Sequence, residues 1–260
     1  MAKMIEGNAV RYNSEDNYRR YYDGNGGKPT LSVTTFTDII SKGDYFTQWY
    51  AKCGYKLFRE YTYGMDICDI DEEALLICKL VNQYIDYRAY IGTMTHSHLM
   101  YLAQGITLPE KLAYDEDGNI LEDSTDVMDT PEEVKIRVNN WQKYFMDALK
   151  PKILGVEVSV WSPTLPYSGT ADLICEIDGK VWLIDYKTGN GLYLSSFVQV
   201  MMYKKLITEQ ICKVDKIGIL HLKGEPRKRK YKIKEIKHND ALVHSVVMLF
   251  KEAHKKLFKE

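Results

Sequence analysis

Apolar residues recur at helical spacing in some stretches of this chain and cluster in short runs in others. From Asp69 to Ile91, Ala74, Cys78, Val81 and Ile85 fall on one face, which predicts a helix capped by Asp69 or Asp71 with Glu72 and Glu73 in its first turn. Gly92–His98 leads from it into a second helical segment, Leu99–Ala103. Thr130-Pro131-Glu132-Glu133 has the form of a capping box with Pro at the first helical position. The helix it opens carries Val134, Val138, Trp141, Phe145 and Ala148 on one stripe and ends before Pro151. Two further helices are predicted over Leu192–Gln210 and Asn239–Phe258, the last burying Leu242, Val246, Leu249, Phe250, Ala253 and Leu257.

Short β-rich runs fill the space between. Leu173-Ile174-Cys175 and Val181-Trp182-Leu183-Ile184 flank Asp178-Gly179, the pattern of a hairpin. A strand over Gly155–Trp161 precedes it, and strands Ile217–Leu222 and Lys230–Ile236 follow the helix. Lys230, Lys232 and Lys234 alternate along the last of these, as on an edge guarded against aggregation. Near the N-terminus, Tyr18-Arg19-Arg20-Tyr21-Tyr22 runs into a turn at Asp23–Gly27, with the two arginines read as core or edge packing or as contacts to a nucleic acid strand. Ser32–Thr35 caps a short helix, Phe36–Ser41, and Trp49 and Tyr50 sit on another that ends near Gly54. Residues 105–129 form an exposed insertion. Its Tyr114–Ile120 segment shares part of a calcium-loop pattern, but Ala113 and Ser124 stand where acidic ligands are needed, so a surface hairpin turn is expected. The pattern is α/β: a central mixed sheet flanked by helices, with an added helical N-terminal region. No repeat or linker interrupts it, which gives one domain over 1–260: an N-terminal hairpin and helical elaboration (1–90), a core (91–237) and a C-terminal helix (238–260).

A net charge of −1 over 260 residues gives no bulk argument for a polyanionic partner. The distribution is uneven: Lys204–Lys237 holds 12 Lys/Arg against 4 Asp/Glu, while Asp115–Asp129 holds 7 Asp/Glu and no Lys or Arg. A basic C-terminal third suits a polyanion, though such runs also serve as solvated faces. Five scattered cysteines without a CxxC pair suggest neither a zinc site nor a disulfide framework. The N-terminal residues lack the apolar core of a signal peptide, and no apolar run approaches membrane-spanning length, so a cytoplasmic protein without a membrane partner is expected.

The chemistry concentrates at the hairpin. Asp172 opens the first strand and Asp185 closes the second, so pairing brings both carboxylates to one end of the sheet. Lys187, two residues beyond Asp185, falls on the same face. Two carboxylates beside an ammonium suit Mg²⁺, which takes oxygen ligands and shares its shell with water and phosphate. The plainer reading is a strand-end carboxylate and a solvated lysine.

Four motifs in order, Gly92-x-x-x-His96, Gly169-x-x-Asp172, Asp185-Tyr186-Lys187-Thr188 and Gln199-x-x-x-Tyr203, resemble the PD-(D/E)XK nuclease superfamily over about residues 90–223. They look most like its RecB-type branch, which includes phage-type and mitochondrial-type single-strand DNA exonucleases. Leu31–Thr35 followed by Trp49 looks like the leader of phage-type members. The resemblance implies a restriction-endonuclease-like core. It implies His96, Asp172 and Asp185 as metal ligands, the Tyr186 carbonyl completing the shell, and Lys187 as the catalytic lysine. It also implies Glu157 as a further catalytic acid and Gln199 and Tyr203 as a face near the nucleic acid. One or two Mg²⁺ or Mn²⁺ ions would serve, since imidazole suits the softer ion. No iron–sulfur cluster is expected, because only Cys212 follows the catalytic region. His98 is two residues from His96 on a helix and cannot face the same site. The expected activity is hydrolysis of DNA, as an exonuclease on ends or single strands, in replication, recombination or repair alongside phage or cellular recombination proteins. The competing expectation is a DNA-binding or assembly module that keeps the fold without catalysis.

Overall fold

The computed structural model describes residues 4–13, 18–23, 27–40, 43–61, 70–223 and 233–258. Three short strands, β1 (Val10–Asn13), β2 (Arg19–Tyr22) and β3 (Thr30–Ser32), lead into helices α1 (Val33–Thr37), α2 (Gly43–Tyr61) and α3 (Ile70–Ala103). A small three-stranded sheet follows, β4 (Lys111–Tyr114), β5 (Ile120–Leu121) and β6 (Met128–Asp129). Next is α4 (Glu132–Trp141), extended by a π-helical turn (Gln142–Met146) and the short α5 (Asp147–Leu149). The central strands are β7 (Lys152–Val160), β8 (Tyr167–Ile177) and β9 (Lys180–Lys187). Then come α6 (Leu194–Gln210), β10 (Lys216–His221), β11 (Ile233–Ile236) and α7 (Asp240–Ala253), with a closing 3₁₀ turn, Lys255–Phe258.

Among the described residues, eight strands make one mixed sheet in the order β1-β2-β3-β8-β9-β10-β11, with β7 also paired to β8. The N-terminal hairpin strands therefore extend the central sheet. The 11 residues of β8 serve three partners: Tyr167–Ser168 pair with β3, Gly169–Glu176 with β7 and Leu173–Ile177 with β9. The β8–β9 turn takes left-handed backbone at Asp178 (φ 51°) and Gly179 (φ 69°), as a two-residue hairpin requires. Both faces of the sheet are covered, which explains the unbroken apolar runs. Ile174, Leu183 and Ile219 join α1, α6 and α7 in one core, while Leu173, Cys175 and Ile184 join Leu99, Trp141 and Phe145 in another.

Several boundaries differ from the sequence reading, each for a packing reason. The segments around Gly92 form one helix of 34 residues. Glycine weakens a helix by about 1 kcal/mol relative to Ala, but here Ile91, Met94 and Thr95 are buried on either side of it. Ala74 and Cys78 are exposed, whereas Val81 is fully buried. Gly54 does not end α2; a Cβ there would lie 2.9 Å from Ile77 Cγ2, so it is where α2 crosses α3. Of the two expected caps, Asp69 lies outside the described residues, and Asp71 falls within α3, past the cap position.

Thr130 does not cap α4. Its hydroxyl pairs with the Tyr114 hydroxyl at 3.1 Å, Pro131 holds the N-cap position without a side-chain bond, and Glu133 bridges Arg88 (2.7 Å) and Arg137 (3.2 Å). The π turn shifts the register by one residue, keeping Trp141 and Phe145 buried and turning Ala148 outward. In α7 the inward stripe is Val243, Val246, Val247 and Phe250, so Leu249 is 59% exposed and Ala253 is also exposed. Helix α1 begins at Val33, three residues before the expected start, because the Ser32 hydroxyl accepts the Thr35 N–H at 3.1 Å. The last strand spans Ile233–Ile236; residues 230–232 are outside the described part. At the 114–120 turn, Asp115 accepts the Asp117 and Asn119 N–H groups, giving the expected surface hairpin. Cys53, Cys78, Cys175 and Cys212 are free thiols. Among the described residues no helix is long and apolar enough to cross a membrane.

Candidate metal centre

Strand register assembles the acidic groups. Val156 faces Leu173 and Val158 faces Ala171 across β7–β8, so Glu157 lies level with Asp172. Leu173 faces Ile184 across β8–β9, and one step further Asp172 comes level with Asp185. Three carboxylates from three neighbouring strands thus stand in one row. Asp172 lies within β8 and not at its start, because β8 continues N-terminally to pair with β7 and β3. Beyond Leu173–Ile184 the β8–β9 ladder stops, and the Asp172 carboxylate takes over as acceptor for the Tyr186 N–H at 2.6 Å.

Helix α3 adds the imidazole, with His96 Nδ1 3.6 Å from Asp172 Oδ2. Among the described residues, His96, Glu157 and Asp172 form the group whose ligand atoms all lie within 4.8 Å of one another. Asp185 falls outside that trio: its Oδ2 is drawn to the Lys187 ammonium at 2.8 Å, yet it receives no aligned hydrogen bond although the residue is only 2% exposed. A buried carboxylate oxygen with spare lone pairs, next to two acids and an imidazole, fits a divalent cation. Tyr186 enters the site through its N–H, while its ring is buried and its hydroxyl accepts from Trp141 Nε1 at 3.2 Å.

Lys187 is held from two sides. Its Nζ donates to Gln199 Oε1 at 2.9 Å, and Gln199 Nε2 donates to the Tyr203 hydroxyl at 3.0 Å. Gln199 and Tyr203, one turn apart on α6, line the cavity but spend these hydrogen bonds on the lysine. The motif glycines admit close neighbours: a Cβ on Gly169 would lie 2.5 Å from Tyr203 Cε1, and one on Gly92 would lie 3.0 Å from Thr188 Oγ1.

The charges are strongly perturbed. Burial, with Asp172 next to it, raises the Glu157 carboxyl to about 8, and burial raises Asp185 to about 6 despite Lys187. Burial would also raise Asp172, but His96, Lys187 and the Tyr186 N–H hold it below the usual range. Burial works against the charged forms of His96 and Lys187, yet the acidic row prevails and raises both, so the lysine is an ammonium at neutral pH. Glu157 also stands at φ 47°, a left-handed backbone unusual for a side-chain-bearing residue in a strand. His98 is turned away: its Nε2 pairs with the Tyr114 hydroxyl at 2.8 Å, and burial lowers it to about 4.

The row opens into a cavity of ≈ 640 Å³. Arg11 and Arg19, from β1 and β2, line it. Arg11 was invisible in the sequence, because the alternation of β1, Val10-Arg11-Tyr12-Asn13, is only four residues long and too short to mark a strand. Arg19, expected as core or edge packing or as a strand contact, is not in the core but exposed into the cavity.

No family model matches the sequence, and no curated protein does. Among solved structures, a Eubacterium rectale protein described as a "putative exonuclease" is similar at 12% identity and TM-score 0.37, over 87% of this chain and 79% of that one. A protein described as SSO0001 is similar at 16% identity and TM-score 0.30, over 47% of this chain; the match spans 61% of that protein's length. At these TM-scores neither likeness carries functional information about the present chain.

Proposed function

We propose that the chain is a metal-dependent deoxyribonuclease of the PD-(D/E)XK superfamily, RecB-like branch, with a restriction-endonuclease-like core. The observation that carries this reading is the row Glu157–Asp172–Asp185 beside an ammonium and an imidazole in one cavity. His96, Glu157, Asp172 and Asp185, with the Tyr186 carbonyl, would hold one or two Mg²⁺ or Mn²⁺ ions. A bound divalent ion supplies Lewis acidity to a phosphodiester and lowers the pKa of a water.

Lys187, charged and fixed by Asp185 and Gln199, orients the attacking water and offsets charge developing on the phosphate oxygens. Because the lysine is protonated, the proton of the attacking water goes to a carboxylate or to solvent. Gln199 and Tyr203 position the lysine and border the path of the strand. A buried, two-sided support of this kind suits catalysis, which needs the ammonium fixed before substrate arrives.

The favoured substrate is DNA, attacked from an end or as a single strand. Digestion of end-labelled linear single-stranded, linear duplex and closed circular DNA in Mg²⁺ and in Mn²⁺ tests this. Linear strands should shorten while circles stay intact. Asp185→Ala should fold and lose at least ~10²–10³ of the rate, the scale of one removed charge-stabilising group; wild-type-like cleavage by that variant would refute the assignment.

A further inference from the structure

The nuclease reading accounts for the carboxylates, His96 and Lys187 but leaves the two arginines on the cavity's β1–β2 wall without a task. β1 and β2 pair so that Arg11 stands opposite Tyr21, two residues along β2 from Arg19. Tyr21 is buried, and its hydroxyl meets Thr170 Oγ1 at 3.2 Å. Thr170 in turn meets Ser159 Oγ at 2.7 Å. Thr170 and Ser159 lie two residues from Asp172 and Glu157 respectively, so this hydroxyl chain fixes the arginine wall against the acidic row. The charge of Arg11 is felt at Glu157, where it partly offsets the effects of burial and of Asp172.

Both arginines are exposed into the cavity, and among the described residues neither has an ion-pair or hydrogen-bond partner. The cavity's other arginine, Arg88 of α3, is committed to Glu133 at 2.7 Å. Lys187 is likewise committed to Asp185. In the sheet order, β1 and β2 lie on the opposite side of β8 from β9, which carries Lys187. A guanidinium is a planar fork that matches phosphate oxygens and stays charged at any working pH.

We propose that Arg11 and Arg19 form a phosphate subsite, gripping the phosphate that neighbours the scissile one on the side away from Lys187. This rests on the nuclease reading for the word scissile, but the subsite itself is read by binding alone. The ligand chemistry is a nucleic acid phosphate, either an internal diester or a terminal monoester.

The test is a titration of a fluorescent 12-nucleotide single strand without catalytic metal, over a range of salt, with the intact protein and with Arg11→Gln/Arg19→Gln. The expected result is a Kd raised on the order of 10-fold or more and a log–log salt slope shallower by about 1.4, at ~0.7 per lost single-strand phosphate contact. Arg11→Lys/Arg19→Lys should restore the slope and only part of the affinity, because charge is kept and the fork is lost. Thermal melting confirms that both variants fold. Strands with and without a terminal phosphate tell which of the two esters is held; the Gln pair weakens binding in either case. An unchanged Kd and salt slope in a folded Gln variant overturns the subsite. Wild-type protein that binds DNA through these arginines yet never cuts it would instead overturn the nuclease reading and leave the subsite standing.

Discussion

At the scale of single residues, Glu157 joins two unusual conditions: a left-handed backbone and a carboxyl raised to about 8 by burial among acids. Left-handed φ costs roughly 1–2 kcal/mol for a residue with a Cβ, and such strain is retained where the surroundings impose it. Glu157→Gly and Glu157→Ala both remove the carboxylate, but only Gly relieves the backbone. The Gly variant should be more stable than the Ala variant by about 1 kcal/mol in urea unfolding, and both should lose metal-dependent activity. Equal stabilities would show that the bend carries no strain. In the sequence Glu157 was read from resemblance alone, since a glutamate in an apolar strand announces neither its φ nor its neighbours. Asp172, Asp185 and Lys187 were legible because a hairpin's register follows from its turn: Asp178-Gly179 fixes which residues meet.

At the scale of elements, the contact between β8 and α6 decides whether the lysine is held. Tyr203 lies against Gly169, supports Gln199, and Gln199 holds Lys187. A methyl group at residue 169 would overlap the Tyr203 ring, so Gly169→Ala should destabilise by ~1–3 kcal/mol, the usual range for overpacking. It should also lower kcat more than it raises KM, because the displaced part is the lysine's support. Thermal melting and steady-state kinetics check both; unchanged kcat in a folded variant would detach the tyrosine from the lysine's role. These elements were readable from apolar periodicity. Their ends were not, because tertiary contacts set them: Glu133 turned to Arg88 and Arg137, the π turn after Trp141 moved Ala148 off the core, and buried neighbours carried α3 through Gly92. The use of β1 and β2 as a cavity wall was equally hidden, since it depends on β3 reaching the N-terminal end of β8.

At the scale of the whole molecule, a fold that gathers three carboxylates stores repulsion that a proton or a cation relieves. Glu157 and Asp185 have native values raised to about 8 and about 6, above their ordinary 4.5 and 3.8. Between the ordinary and the raised values the native state binds more protons than the unfolded chain, so metal-free stability falls as pH rises across that window. His96, also raised, adds stability that is lost as pH rises through its native value, in the same direction. Asp172, lowered, acts only below about its ordinary 3.8 and leaves the window unchanged. The metal-free protein should therefore melt at a lower temperature at pH 8 than at pH 5.5. Added Mg²⁺ or Mn²⁺ should raise the melting temperature more at pH 8, where fewer protons have to be displaced from the carboxylates than at pH 5.5. Melting curves at the two pH values with and without metal check the sign; a metal-free protein more stable at pH 8 would contradict it.

On the proposed reading, one row of acids from three strands, with His96, makes a site for a hard divalent cation. Calorimetric titration of Mn²⁺ into the protein at pH 8, repeated with Asp172→Asn, tests it most directly. The wild type should bind one or two ions saturably, and the folded variant should bind them at least tenfold more weakly. Absence of binding to the wild type, or equal affinity in the variant, would contradict it.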